Sequence, residues 1–337
     1  MNRFMNILVV CQEDSQVKFA LERARSLATA NGAAVTLLDV IDLDQRDVDD
    51  VLSGLSDRTP YELKQQIEDY HQARLNHLAA DFERDGVCVS TKVVHGVPFV
   101  ETIRAVLRDG YDIVMKGANV NPATQRSVFL GLDLHLMRKC PCPVMIVNEP
   151  LISDRSRVLA AVDPDIDDLN KDCVNRLILD LASSLSTLPG SHLHVAHAWR
   201  IEEEHALLTS SLIKASPAEI RRIKQKKRAK RVQELDQLMA ETPDTPTSCD
   251  VHMMQGYAGD VIPMLAAKFQ VDLVVMGTVS RTDIGGLFIG NTAETIISRL
   301  ECSILAVKPP AFQTPIALEG ALSIGAMAHR LDARAAA

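Results

Sequence analysis

The chain has 337 residues, more than one ordinary hydrophobic core encloses, and its length suits two domains of about 150 residues each. It carries 36 lysines and arginines against 44 aspartates and glutamates, which argues against a protein coated for nucleic acid or for an anionic membrane. The longest apolar runs are strand-sized, and the N-terminus MNRFMNILVV passes into a strand pattern without a signal-peptide cleavage region. We therefore predict a cytoplasmic protein without a membrane span, for which nucleic acid is an unfavoured partner.

The predicted elements alternate between strand and helix. A strand at NILVVCQED (6–14) is followed by a helix that Gly32 ends as a C-cap, and then by a strand at VTLLDVID (35–42). A long helical insert follows. Beyond it the pattern gives strand, helix, a strand in DGYDIVMKG (109–117), a loop, a helix and a strand at CPVMIV (142–147).

The second half of the chain repeats the first. DGYDIVMKG matches FQVDLVVMG (269–277), VVHGVPFVETI matches MMQGYAGDVIP (253–263), and CPVMIV matches CSILAV (302–307), all at an offset of 160 residues. The first two strands recur at a slightly shorter offset, in RVLAAVDPD (157–165) and LHVAHAWR (193–200). Such alternation, with strands apolar on both faces, predicts in each half a parallel sheet covered by helices.

These patterns predict two tandem, doubly wound α/β domains, residues 1–152 and 153–312. The linker between them is the polar, proline-containing segment NEPLISDRSR (148–157). Residues 313–337 form a tail rich in small residues, which we expect to be loosely ordered or to form a short terminal helix.

The repeat, the strand order and the loop GTVSRTDIGGLFIGNTAE (277–294) resemble the universal stress protein family in its long tandem form. The resemblance covers residues 5 to about 315. It implies that each domain is a Rossmann-like, five-stranded parallel sheet flanked by helices, and that CPVMIV and CSILAV meet to form an intramolecular pseudo-dimer. It also implies a stress-response role. Some members bind ATP through a loop of the form G-x2-G-x9-G-[ST], and others lack both the loop and the ligand.

The second domain keeps part of this nucleotide loop. Gly277 and Gly290 match its first and last glycines. Ser280 replaces the middle glycine, and Asn291 replaces the final Ser/Thr, although Thr292 follows immediately. Serine reaches positive φ at a cost of about 1 kcal/mol or more, whereas Asn caps a helix as well as Ser does.

Three further residues are assigned to this site by the resemblance. Asp163 ends the first strand of the second domain, where the family places an acid near the ribose. Ala198 would offer backbone groups to an adenine edge, and Met276 would border the base. The segment 277–292 therefore either binds ATP, with Mg²⁺, or is retained only to turn a strand into a helix, and the sequence leaves both open.

The first domain departs further from the family loop. GANVNPATQRSVFLGL (117–132) has Val120 at the middle position, and Gly131 is one place out of register. Gln12 occupies the position that matches Asp163. We predict no nucleotide site in this half.

The favoured function is non-enzymatic binding of unknown protein partners, and of a ligand, in the stress response. No G-x-S-x-G, G-x4-G-K-[ST] or H-E-x-x-H motif occurs, so we predict no catalytic residues. A slow ATPase using the second domain is one alternative. Another is a binder of an apolar ligand such as a fatty acyl chain between the halves. Its pocket would use a stripe that faces the other half, formed by Leu63, Ile67, Tyr70, Leu75 and Leu78.

The segment RRIKQKKRAKR (221–231) is strongly basic. Ser216, Pro217 and Glu219 before it form a capping signature, which predicts a helix that starts at Pro217. Without interleaved aromatic residues, a solvated and partly ion-paired helix is favoured over a site for RNA or an acidic partner.

Cysteine and histidine spacing predicts no metal site. Seven cysteines, an odd number, favour reduced thiols, and the close pair Cys140 and Cys142 is interpreted as core packing. His192 and His194 share one strand face and His197 takes the other, but no third ligand is evident. A structural or edge role is therefore favoured for these histidines.

Overall fold

The computed structural model describes residues 4–12, 17–42, 59–120, 127–129, 131–148, 156–165, 169–186, 190–201, 216–242, 249–278 and 290–318. Within these ranges no helix combines the length and apolar character that crossing a membrane requires. The predicted domain boundary at 152/153, the centre of the loop at 277–294 and most of the tail lie outside the described residues.

Strands and helices alternate through both halves, as the sequence predicts. The described elements of the first half are β1 (Asn6–Val10), α1 (Val17–Asn31), β2 (Ala34–Ile41), α2 (Pro60–Arg84), β3 (Val89–His95), α3 (Pro98–Asp109), β4 (Ile113–Gly117), β5 (Asn119–Val120), β6 (Ser127–Val128), α4 (Gly131–Lys139) and β7 (Val144–Val147). Those of the second half are β8 (Arg157–Ala161), α5 (Leu169–Leu185), β9 (His192–Trp199), α6 (Pro217–Ala240), β10 (Cys249–Gln255), α7 (Ala258–Lys268), β11 (Leu273–Gly277), α8 (Asn291–Ile297) and β12 (Ser303–Val307).

The two halves share one ten-stranded sheet in the order β10-β9-β8-β11-β12-β7-β4-β1-β2-β3. Within this sheet the neighbouring strands of each half are parallel, so each half contributes a five-stranded doubly wound sheet. The short strands β5 and β6 pair antiparallel in a separate sheet. The halves meet where β12 pairs antiparallel with β7, with Leu305 opposite Met145 and Ile304 opposite Ile146. The predicted meeting of CPVMIV and CSILAV is therefore confirmed.

The hydrophobic core continues across this junction on both faces of the sheet. One cluster of buried side chains contains Met145 and Leu305, and the cluster on the opposite face contains Ile146 and Ile304. Side-chain bonds reinforce the strand pairing, since Thr278 Oγ1 donates to the Met137 carbonyl over 3.1 Å. The halves are thus joined by main chain, core and polar contacts together.

Local sequence signals set the ends of several helices. Gly32 follows α1 with a φ of 68°, the left-handed conformation that favours glycine at a C-cap. Helix α6 begins at Pro217 as predicted: the Ser216 side chain accepts from the Glu219 N–H, and the Glu219 carboxylate accepts from the Ser216 N–H. This reciprocal pair satisfies two amide groups that the first turn leaves without helical partners.

Helix α2 does not face the other half, so the prediction of an interdomain apolar stripe is wrong. The helix packs against β3 and β2, at the end of the sheet remote from the β7–β12 junction. Leu63 and Leu75 are buried there, whereas Tyr70 is exposed. The helical period correctly found a buried face, but that face covers its own half.

Candidate functional site

The candidate nucleotide residues lie where the parallel strands of the second half end, which we call the carboxyl edge. Asp163 follows β8, Ala198 lies near the end of β9, and Met276 and Gly277 end β11. The strand order β9-β8-β11 makes these three strands neighbours. Open α/β sheets bind ligands at such edges, so the topology gathers the described candidates where a ligand is expected.

Asp163 is held by its backbone while its side chain faces solvent. The Asp163 N–H donates to Asn175 Oδ1 over 2.9 Å, and Asn175 Nδ2 donates to the Asp163 carbonyl over 3.0 Å. Asn175 is buried on α5, and Asp163 is exposed. The turn after β8 is therefore fixed, and it presents a carboxylate at the carboxyl edge.

Strand β9 extends beyond its neighbour β8 at the carboxyl edge. The β8–β9 ladder ends at the pair Ala161 and Ala196, so half-buried Ala198 lies past it. His197 is buried, with Nδ1 placed 3.1 Å from the Val162 carbonyl. Burial lowers the pKa of His197, so the ring is neutral and Nδ1 carries the proton donated to that carbonyl.

The loop residues have mixed roles. A Cβ on Gly277 would lie 3.1 Å from Val174 Cγ1, so the close packing of α5 accounts for glycine there without any ligand. The Gly290 N–H donates to the Thr278 carbonyl over 3.3 Å, and Asn291 and Thr292 are exposed at the start of α8. Ser280 lies outside the described residues.

Tyr257 lies beside the first turns of α8 with Arg200 against its ring, and sequence analysis missed both residues. Tyr257 follows β10, and the Arg200 guanidinium carbon lies 5.2 Å from its ring centroid. Contacts with Thr295 and Thr292 lower the pKa of the Tyr257 hydroxyl, which places the ring beside the start of α8. The sequence did offer one signal for Tyr257, a difference between the repeats: the matching position of the first half is Val97.

The basic segment on α6 contributes one residue to the carboxyl edge. Arg231 Nη1 donates to the Pro164 carbonyl over 3.0 Å, directly after Asp163, and to Glu234 Oε2 over 2.8 Å. Glu234 is buried and also lies 3.5 Å from Lys230 Nζ. The end of the basic run is therefore ion-paired, as predicted, and its last arginine borders the candidate site.

A buried ion pair occupies the equivalent region of the first half. Lys116 Nζ lies 3.1 Å from Asp133 Oδ1, and both side chains are almost completely buried. At the repeat offset, Met276 and Ala293 take these positions in the second half. Asp133 lies in the first turn of α4, so in the first half the buried ion pair occupies the start of the helix that corresponds to α8.

The ends of β1 and β2 are closed by a second charged cluster. Arg74 Nη2 lies 2.6 Å from Asp39 Oδ2 and also donates to the Cys11 carbonyl. His71 Nδ1 lies 2.5 Å from the same carboxylate oxygen. An arginine of the helical insert therefore lies at the carboxyl edge of each half, Arg74 in the first and Arg231 in the second.

A separate polar cluster lies at the opposite ends of β9 and β10, the amino edge of the second half. His192 and His194 share a face of β9, and β10 supplies Asp250 and His252 on the same face. The expectation that no third ligand accompanies the two histidines is therefore wrong. Asp250 and His252 lie on a strand more than fifty residues after His192, so the spacing of residues along the sequence could not identify them.

Comparison with known proteins places both halves in one family. The model of the universal stress protein family matches residues 3–148 and 155–308. Universal stress protein E of Escherichia coli K12 is 27% identical over 322 residues, which cover 95% of this chain and 98% of that protein. The universal stress protein E homolog of Haemophilus influenzae is 27% identical over 315 residues, covering 91% of this chain and 98% of the homolog.

Solved structures agree with this similarity. A functionally unknown protein from Pseudomonas aeruginosa PAO1 has a TM-score of 0.69 at 25% identity, covering 92% of this chain and 94% of that one. A universal stress protein from Archaeoglobus fulgidus has a TM-score of 0.61 at 17% identity, covering 91% of this chain and 97% of that one. The second likeness shows the fold alone.

Proposed function

The chain belongs to the universal stress protein family, with one family domain in each half, and from that premise we propose that its second half binds an adenine nucleotide. The ligand we propose is ATP with Mg²⁺, and the protein would act in the stress response by binding this ligand and protein partners. The first half would bind no nucleotide and would support the second half through the shared sheet.

The difference between the halves is the observation that carries this proposal. In the first half, Lys116 and Asp133 form a buried ion pair between the end of β4 and the start of α4. In the second half, Met276 and Ala293 replace the buried ion pair. Apolar side chains at these two positions remove the ion pair as a whole, so neither its acid nor its lysine occupies the region beside the start of α8.

The residues of the carboxyl edge suit the parts of the nucleotide. The exposed Asp163 carboxylate can accept hydrogen bonds from ribose hydroxyls. Ala198 has backbone groups beyond the β8 ladder for a base edge, and Met276 offers an apolar border. Exposed Asn291 and Thr292 have side-chain donors for phosphate oxygens. Bound Mg²⁺ would neutralise part of the phosphate charge.

An apolar ligand between the halves is less well supported. The halves contact each other directly through β7 and β12, and α2 covers the remote end of the sheet.

The sequence also lacks the G-x4-G-K-[ST] loop of rapid nucleotide hydrolases. We therefore propose binding, without rapid turnover, as the activity of the carboxyl edge.

Calorimetric titration of the full chain with ATP and Mg²⁺ tests the proposal. Asp163→Ala should weaken binding markedly, and Ser280→Gly should tighten it about fivefold if serine costs about 1 kcal/mol at a positive φ. Gln12→Ala, at the matching position of the first half, is the control and should leave affinity unchanged. Failure of both wild type and Ser280→Gly to bind would refute a nucleotide site, and equal losses in Asp163→Ala and Gln12→Ala would refute its location.

We also propose a cytoplasmic location. All seven cysteines lie in described ranges and none forms a disulfide, as expected in a reducing compartment. Fractionation of cells expressing the full chain should recover it with cytoplasmic markers, and recovery with an extracytoplasmic fraction would contradict the proposal.

A further inference from the structure

The cluster at the amino edge has the composition of a metal site. Its four side chains come from two adjacent parallel strands, with His194 opposite Asp250 in the β9–β10 register. His192 lies two residues before His194 and His252 two residues after Asp250, so the pleat directs all four to one face. His192, His194 and Asp250 provide two imidazoles and a carboxylate, a donor set that zinc takes in proteins, and His252 lies beside them.

The donor atoms of His192, His194 and Asp250 lie within 4.8 Å of one another, close enough to share one small ion. Asp250 Oδ2 lies 3.0 Å from His192 Nε2 and 3.8 Å from His194 Nδ1. His194 Nδ1 lies 3.1 Å from His252 Nε2. Ligands at zinc bond lengths in a tetrahedron lie about 3.3 Å from one another. The side chains therefore need only small adjustments to share an ion.

The ring of Phe269 holds two of the imidazoles in place. Its centroid lies 4.6 Å from those of His194 and of His252, and both pairs are stacked. Packing thus orients the rings before any ion arrives.

We propose that His192, His194 and Asp250, with His252 beside them, bind a divalent transition-metal ion of the zinc class. Each strand contributes two of these residues, so the bound ion ties β10, the end strand of the sheet, to β9. It would stabilise an end strand that, among the described residues, pairs with β9 alone. This site lies at the opposite ends of the strands from the nucleotide candidates, and neither proposal depends on the other.

Titration of the untagged, chelator-treated full chain with Co²⁺, a spectroscopic substitute for Zn²⁺, tests the inference. We expect one Co²⁺ per chain, with the visible absorption of a tetrahedral ion and without the near-ultraviolet band of thiolate ligands. Zn²⁺ should displace it. Bound Zn²⁺ should also slow amide hydrogen exchange in β10.

Two surface variants keep the test independent of folding. The side chains of His192 and Asp250 are 41% and 60% exposed, so His192→Gln and Asp250→Asn should fold normally. Each should weaken Co²⁺ binding at least about tenfold. His77→Gln, on the exposed face of α2, is the control and should bind like wild type. Undiminished binding by either cluster variant, or a thiolate band, would overturn the proposal.

Discussion

Lys308 is a buried cation at the end of β12. Its side chain is 4% exposed, and among the described residues its Nζ has no hydrogen-bond partner. Burial lowers its pKa from 10.5 to about 8, against the opposing effect of the thiols of Cys140 and Cys142. The Nζ lies 5.4 Å from the Phe312 ring centroid, a weak substitute for a carboxylate.

Replacing this lysine should stabilise the protein at neutral pH. Between about pH 8 and pH 10.5 the folded state binds fewer protons than the unfolded state, so wild-type stability rises with pH across that window. Lys308→Met should therefore raise the free energy of unfolding at pH 7 by about 1–3 kcal/mol, and the gain should shrink as pH rises toward 10. Urea denaturation at several pH values measures this, with exposed Lys226→Met as the control. A gain that does not depend on pH would contradict the assignment.

The buried pair of Lys116 and Asp133 gives a second test at the residue scale. Asp133→Ala leaves an uncompensated buried ammonium and should cost about 3–5 kcal/mol of stability. The double variant Lys116→Met with Asp133→Ala carries the residues of the second half, and it should recover most of that loss. Urea denaturation of the single and double variants gives the coupling. A double variant no more stable than the single one would show that packing, and not charge, accounts for the cost.

At the scale of the elements, the sequence predicted what depends on neighbours along the chain. Apolar runs and the 160-residue repeat predicted the order of strands and helices, and Ser216 with Glu219 predicted the start of α6. These features depend on hydrogen bonds and side-chain periods within a few residues. They were confirmed because tertiary packing does not compete with them.

Features that depend on distant pairing were not predictable in this way. The period of α2 identified a buried face but not the strands that cover it, and β3 and β2 proved to be those strands. Asp250 and His252 joined His194 only through the β9–β10 register. The lysine in the apolar strand IVMKG was a visible signal for the buried pair at Lys116, but its partner Asp133 lies on α4.

At the scale of the whole molecule, each half depends on the other to cover an edge strand of its sheet, β7 in the first half and β12 in the second. Val144 and Ile146 of β7, and Ile304 and Ala306 of β12, are completely buried in the intact chain. A separated half would expose a strand apolar on both faces together with its ladder of hydrogen-bonding groups. We therefore expect the two family domains to fold as one unit.

Cutting the linker should leave the halves together. A protease site inserted within residues 149–155 and then cleaved should give two fragments that elute as one species in size-exclusion chromatography, with a Kd below about 1 μM. Leu305→Asp places an unpaired charge in the β7–β12 junction, so the same cleavage in that variant should release the fragments. The uncleaved variant, checked by circular dichroism, controls for loss of folding. Separate elution of the wild-type fragments would show that the linker, and not the shared sheet, holds the halves together.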